Sequence, residues 1–227
     1  MKNKLYESGD GDTLIDDSLY SAEVKEYLFM ERLEISKKLK SYNTLVEIGC
    51  MVTRHLDQAI ENNKNYIGVD IVQRYIDEAN LKNSKIKGWG SKYNAICYNA
   101  LMLEEGFKTI TVLKELEKTK TLLLFPFNSF GNIDDCDKML QVLNRLGIDF
   151  MINSYKTDIK TNVFRMNYYK RNSMTNLELL ENENGVTIWS DENLNSKCFN
   201  EKYYKDRCNN ISFNNFGDYG KSMNGYG

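Results

Sequence analysis

Short apolar runs recur along the chain with polar stretches between them. They stand at 44–48 (TLVEI), 65–70 (NYIGVD), 93–98 (YNAICY), 121–127 (TLLLFPF) and 148–153 (IDFMIN). Polar or amphipathic segments of helical length fill 53–62, 72–82, 105–118 and 133–146. The runs are apolar on both faces, as central parallel strands are, and their alternation with helices predicts βαβ units in a doubly wound α/β sheet. Residues 1–20 read as polar and irregular. A helix is predicted over 21–40, with Ser21 as N-cap and Val24, Leu28, Ile35 and Leu39 on one stripe.

The pattern changes near residue 155. VFRMNYYKR (163–171), NLELLENENGVTIWS (176–190) and NISFNNFGDYG (210–220) are rich in aromatic and β-branched residues and separated by turn signals. They predict antiparallel strands that complete or extend the sheet, with a hairpin at ENENG and a short helix near 200–208. Tyr168 and Tyr169 then face opposite sides of a strand. The last residues, KSMNGYG, are expected to fray. On this reading one domain has an N-terminal arm and helix (1–40) on the lid and substrate side, a core (41–155) and a C-terminal completion (156–227).

Composition narrows the class. A chain of 227 residues with 41% hydrophobic and 12% aromatic residues fits one domain with a full core. Its 30 basic and 32 acidic residues nearly cancel and form no long basic block, so nucleic acid is not the expected partner. No apolar window reaches the length of a membrane span. Cys50, Cys97, Cys136, Cys198 and Cys208 are odd in number and contain no CxxC, as expected for reduced thiols of a cytoplasmic protein. DDCD (134–137) suits a helix start rather than a metal, and ESGDGD lacks EF-hand spacing, so no metal is expected.

The first strand is followed by a loop, Gly49–Arg54, and by Asp70 closing the second strand 21 positions after Gly49. In open α/β sheets ligands lie beyond the carboxyl ends of the strands, and an acid at this spacing accepts hydrogen bonds from ribose hydroxyls. A dinucleotide needs two further glycines, for pyrophosphate approach and close helix packing. Met51 and Arg54 occupy those places, which points to a ribose-bearing ligand without a pyrophosphate.

These residues resemble the class I S-adenosylmethionine-dependent methyltransferases over roughly 40–155, the stretch that would bind that cofactor in a mostly parallel, seven-stranded Rossmann-like sheet. VEIGCMVTRHL resembles the first motif, with Glu47 and Gly49 kept and Cys50 and Met51 in the loop. GVDI resembles the second, whose acid, here Asp70, binds the ribose, with Ile71 beside it. CYNA falls where Asn99 and Ala100 would meet the adenine, and LFPFNSFGNI falls where the active site opens. The resemblance implies S-adenosylmethionine as cofactor, bound by these residues and Phe127.

Pro126, the single proline, suits the point where the fourth strand leaves the sheet. Aromatic faces there can stabilise a sulfonium cation, and a side-chain carbonyl can orient a nucleophile. Asn128, Ser129 and Tyr20 are the catalytic candidates; Tyr6, like Tyr20, flanks an arm that could close over the site. His55, the single histidine, reads as helix surface or cap. The expected activity is methyl transfer to a small molecule. Two alternatives stay open: a cyclase or lyase that consumes S-adenosylmethionine and releases methylthioadenosine, and a non-catalytic binding subunit with the same fold. Acceptor and oligomeric state carry no signature.

Overall fold

A computed structural model describes residues 4–227. Five parallel strands form as the apolar runs dictate: β1 (Thr44–Ile48), β2 (Asn65–Asp70), β3 (Tyr93–Cys97), β4 (Thr121–Phe125) and β5 (Asp149–Tyr155). Between them run α3 (Leu56–Glu61), α4 (Gln73–Asn83), the pair α5 (Leu103–Thr109) and α6 (Thr111–Lys114), and α7 (Cys136–Leu146). The predicted helix 105–118 is broken because Ile110 is extended, inside the run Thr109–Ile110–Thr111–Val112 whose β-branched side chains crowd a helical turn. Upstream, a short α1 (Lys4–Ser8) and two tight turns precede α2 (Ala22–Leu39), which Ser21 caps by accepting from the Val24 N–H.

The main sheet has seven strands in the order β3-β2-β1-β4-β5-β10-β9, where β9 is Ile211–Phe216 and β10 is Gly220–Gly225. Its order reverses between β1 and β4, both buried along their length. β10 runs antiparallel to both β5 and β9. The expected frayed end is thus a buried strand, since pairing on both sides satisfies its backbone and outweighs its small, polar composition.

Two further expectations are corrected. Residues 163–171 are not a strand but part of α8 (Ile159–Arg171). Asp158 caps it by accepting from the Thr161 N–H at 2.8 Å, and Phe164, Arg165, Tyr168 and Tyr169 fall on its buried face. The i, i+4 spacing lets these large side chains pack on one side, which overrides their strand propensity. The ENENG hairpin does form, as β6 (Glu178–Asn182) and β7 (Gly185–Trp189), but with β8 (Asn195–Phe199) it makes a separate three-stranded sheet. A short α9 (Glu201–Lys205) follows where a helix was expected.

Both faces of the main sheet are covered: one core gathers Val46, Leu123 and α7, the other Leu45, Leu122 and the end of α2. A third cluster joins the N-terminal arm, α8 and the small sheet through Leu14, Tyr27, Tyr168 and Ile188. Each such aliphatic or aromatic side chain contributes about 1.5–3 kcal/mol when fully buried. That third cluster roofs the carboxyl ends of the central strands.

Candidate active site

A cavity of about 550 Å³ lies over the carboxyl ends of β1 to β4, at the point where strand order reverses. Backbone strain gathers there. Met51 and Thr53 after β1, and Phe127 and Asn128 after β4, all have positive φ, at 50°, 67°, 44° and 62°. Left-handed backbone is costly for non-glycine residues, and for a β-branched one such as Thr53 most of all. Surrounding contacts hold it in place. Asp70 accepts from the Met51 N–H at 2.8 Å and from the Val72 N–H at 2.9 Å, while Thr53 Oγ1 accepts from Asn83 Nδ2 at 2.9 Å. Glu31, fully buried on α2, accepts from the Phe127 N–H at 2.7 Å.

Gly49 has φ 75°, and a Cβ there would come within 2.9 Å of Ser129 Cβ. Glycine therefore serves both the turn and the close approach of β1 and β4 loops. Ser129 Oγ is buried beside it without a hydrogen-bond partner among the described residues. Asp70 is 7% exposed, and burial pushes its carboxyl above the usual range. Asn99 accepts from the Leu101 N–H at 3.0 Å with its carbonyl oxygen, so its amide N–H2 rather than that oxygen is the group without a partner among the described residues.

Of the residues singled out in the sequence, Gly49, Met51, Asp70, Ile71, Asn99 and Ala100 line the cavity, as do Phe127, Asn128 and Ser129. Three do not. Glu47 is fully buried beneath the loop, where it accepts from the His55 N–H at 3.1 Å and the Tyr66 hydroxyl at 2.5 Å. It supports the loop from below and cannot touch a ligand. Cys50 is turned into the core and is likewise inaccessible. The Tyr20 hydroxyl is spent on the Leu14 carbonyl at 3.2 Å and on Arg54 Nη2 at 3.3 Å, so Tyr6, not Tyr20, is the arm tyrosine at the cavity wall.

Asn128, which lines the cavity, also has a structural engagement. Its Oδ1 accepts from Ser154 Oγ at 2.6 Å and its Nδ2 donates to Ser196 Oγ at 3.1 Å. The carboxamide thereby ties the end of β4 to β5 and to the small sheet. His55 holds the N-cap position of α3, as one of the two readings expected, but without a side-chain cap bond and not at the surface: it is 1% exposed, with Nδ1 3.0 Å from Gln58 Oε1, and burial lowers its pKa to about 3.

The far side of the cavity is aromatic. Phe127 packs against Tyr155 and Tyr168 with ring centroids 6.0 and 5.9 Å apart, and Tyr169 stands next to them. The Arg54 guanidinium lies 4.9 Å from the Phe127 ring centroid and faces the same space. Sequence reasoning passed over Arg54 by treating it as a missing glycine, and missed Tyr155, Leu14 and the paired roles of Tyr168 and Tyr169. The density of aromatics in 164–171 was the available signal, read with the wrong period.

No family model and no curated protein matches this chain in sequence. Solved structures do match in shape. The PH0226 protein of Pyrococcus horikoshii aligns with TM-score 0.61 at 14% identity, over 92% of each chain. The 1,6-didemethyltoxoflavin-N1-methyltransferase of Burkholderia thailandensis, solved with 1,6-didemethyltoxoflavin and S-adenosylhomocysteine, aligns with TM-score 0.60 at 11% identity, over 99% of this chain and 86% of that one. Magnesium protoporphyrin IX methyltransferase of Synechocystis, solved with S-adenosylhomocysteine, gives 0.56 at 11%, over 98% and 95%. The chain has the class I methyltransferase fold. Within that fold β10 is the antiparallel strand inserted between β5 and β9, and β6 to β8 form a second sheet beside the cavity. Among the described residues no helix is long and apolar enough to cross a membrane.

Proposed function

We propose that this chain is an S-adenosylmethionine-dependent methyltransferase acting on a small molecule. One observation carries the reading: a cavity at the β1/β4 switch point joins an acid-closed polar end to an aromatic end. The polar end fits an adenosyl group. Asp70 keeps lone pairs for ribose hydroxyls after taking two loop N–H groups, Asn99 offers an amide N–H2 that bonds to none of the described residues, and Gly49 lines the cavity where a side chain would collide with Ser129. When bound, S-adenosylmethionine supplies an electrophilic methyl group on a sulfonium.

The chain's own part is positioning. Phe127 and Tyr155 present aromatic faces that favour a cation nearby, and the strained loops hold those faces and the Asp70 carboxylate in one arrangement. Leu14, Tyr6 and Tyr168 cover part of the cavity with apolar surface, which limits the water that reaches it. The cavity wall holds no histidine, which suits an acceptor that is reactive without a general base.

Calorimetric titration with S-adenosylhomocysteine tests the reading. Wild-type protein is expected to bind, and Asp70→Asn to weaken binding at least about tenfold through lost charge-assisted bonds to the ribose. No binding at about 1 mM ligand would leave only the fold and favour a non-catalytic subunit. Methylthioadenosine appearing from S-adenosylmethionine without any acceptor would instead favour the cyclase or lyase reaction.

A further inference from the structure

We infer that Arg54 is the acceptor-binding residue of this cavity and that the acceptor is a planar aromatic acid, its carboxylate paired with the guanidinium. The inference rests on the methyltransferase reading for its frame, and on Arg54 itself for its content. Arg54 is half-buried and lines the cavity. Among the described residues its side chain makes one hydrogen bond, to the Tyr20 hydroxyl at 3.3 Å, one cation–π contact, to Phe127 at 4.9 Å, and no ion pair. A guanidinium presents five N–H donors in a fork shaped for a carboxylate, and leaving most of them unmet in a partly desolvated site is costly unless a ligand meets them.

Among the described residues no carboxylate forms an ion pair with Arg54. Asp70 is committed to the Met51 and Val72 N–H groups, and Glu7 and Asp134 are exposed at the mouth. Glu31 is fully buried and engaged with the Phe127 N–H; burial raises its carboxyl to about 7 although the nearby Arg54 charge draws it down, and it makes no ion pair with Arg54 among the described residues. A second cation reinforces the field. Arg165 is fully buried behind the aromatic wall, with its guanidinium 5.3 Å from the Tyr155 ring centroid. Among the described residues it donates only to Ser196, leaving Nε and Nη1 without partners there. The acceptor end of the cavity is therefore walled by aromatic rings, with Arg54 at its surface and Arg165 behind the Tyr155 ring.

An aromatic acid answers both features: its ring packs against Phe127, Tyr155 and Tyr168, and its oxygens meet Arg54. The missing base fits as well. An oxyanion nucleophile forms its O–CH3 bond as the C–S bond breaks, with the electron pair staying on sulfur, and leaves no proton to remove.

The test is calorimetry with matched pairs, benzoate against benzamide and salicylate against salicylamide, on free and on S-adenosylhomocysteine-loaded protein. The acids are expected to bind about tenfold or more tightly than the amides. Arg54→Gln should erase that preference and Arg54→Lys should keep part of it, with unfolding midpoints recorded for each variant; if Arg54→Gln does not fold, Arg54→Lys and the wild-type pairs still decide. Equal binding of acid and amide, no binding of any acid at about 10 mM, or an acid preference that survives Arg54→Gln would each overturn the proposal. So would an Arg54→Gln protein that loses affinity for S-adenosylhomocysteine but not for methylthioadenosine, since the guanidinium would then serve the cofactor's amino-acid carboxylate. Wild-type protein that binds neither nucleoside yet prefers acids would instead sink the methyltransferase reading alone.

Discussion

Glu47 shows how a single residue can matter to the site without reaching it. Its carboxyl is buried under the strained loop, with Oε1 unpartnered, and burial raises it from 4.5 to about 8; Glu31 rises in the same way to about 7. The folded chain then holds protons that the unfolded chain has already shed. The stability these carboxyls contribute is complete below pH 4.5 and lost as pH rises through about 7 and 8. His55 acts in the opposite sense: its pKa falls from 6.5 to about 3, so its contribution is present above 6.5 and lost as pH falls. Of these three groups only the carboxyls titrate between pH 6.5 and 8, so urea unfolding should show stability declining across that window. In Glu47→Gln the decline should be shallower, whatever the variant's absolute stability. An unchanged slope would mean that Glu47 is ionised in the folded state.

At the scale of elements, β10 is the clearest case of tertiary context overruling composition. Glycines open and close it, and the aromatic rings of the neighbouring strands use the space: a Cβ on Gly225 would overlap the Phe150 ring, and one on Gly220 the Phe216 ring. Phe150 faces Gly225 across the β5 pairing, so the ring covers bare backbone and helps fix the register. Gly225→Ala is expected to cost about 1–3 kcal/mol in urea unfolding, as overpacked cores do. A neutral result would mean that the strand end is free to move aside. Asn128 plays a comparable part between elements, since one carboxamide links β4, β5 and β8.

For the molecule as a whole, the N-terminal arm closes the cavity, and a small polar cluster fastens it. Arg74 on α4 donates to Asp12 at 2.9 Å and to the Tyr6 carbonyl at 2.7 Å, while the Tyr75 hydroxyl donates to Asp12 at 2.7 Å. Asp12 and Arg74 are both substantially exposed, so the ion pair contributes at most about 1 kcal/mol and is weakened by salt. Asp12→Asn should therefore leave the unfolding midpoint nearly unchanged yet speed release of S-adenosylhomocysteine about fivefold in stopped-flow fluorescence. Release at the wild-type rate would show that the arm is no gate.

The sequence by itself determined the five parallel strands, their helices and the acid closing β2, because continuous apolar runs such as TLVEI and TLLLF can only be buried on both faces. It also located most of the polar end of the cavity, since Gly49, Asp70 and Asn99 sit at strand ends wherever those strands lie. Only the tertiary structure decided what was long-range: that Glu47 and Cys50 point inward, that FRMNYYKR coils into a helix whose aromatics wall the cavity, and that KSMNGYG fills the gap between β5 and β9. Those outcomes depend on partners many residues away in the chain, such as Ser196 for Asn128 and Leu14 for Tyr168, and local periodicity carries no record of them.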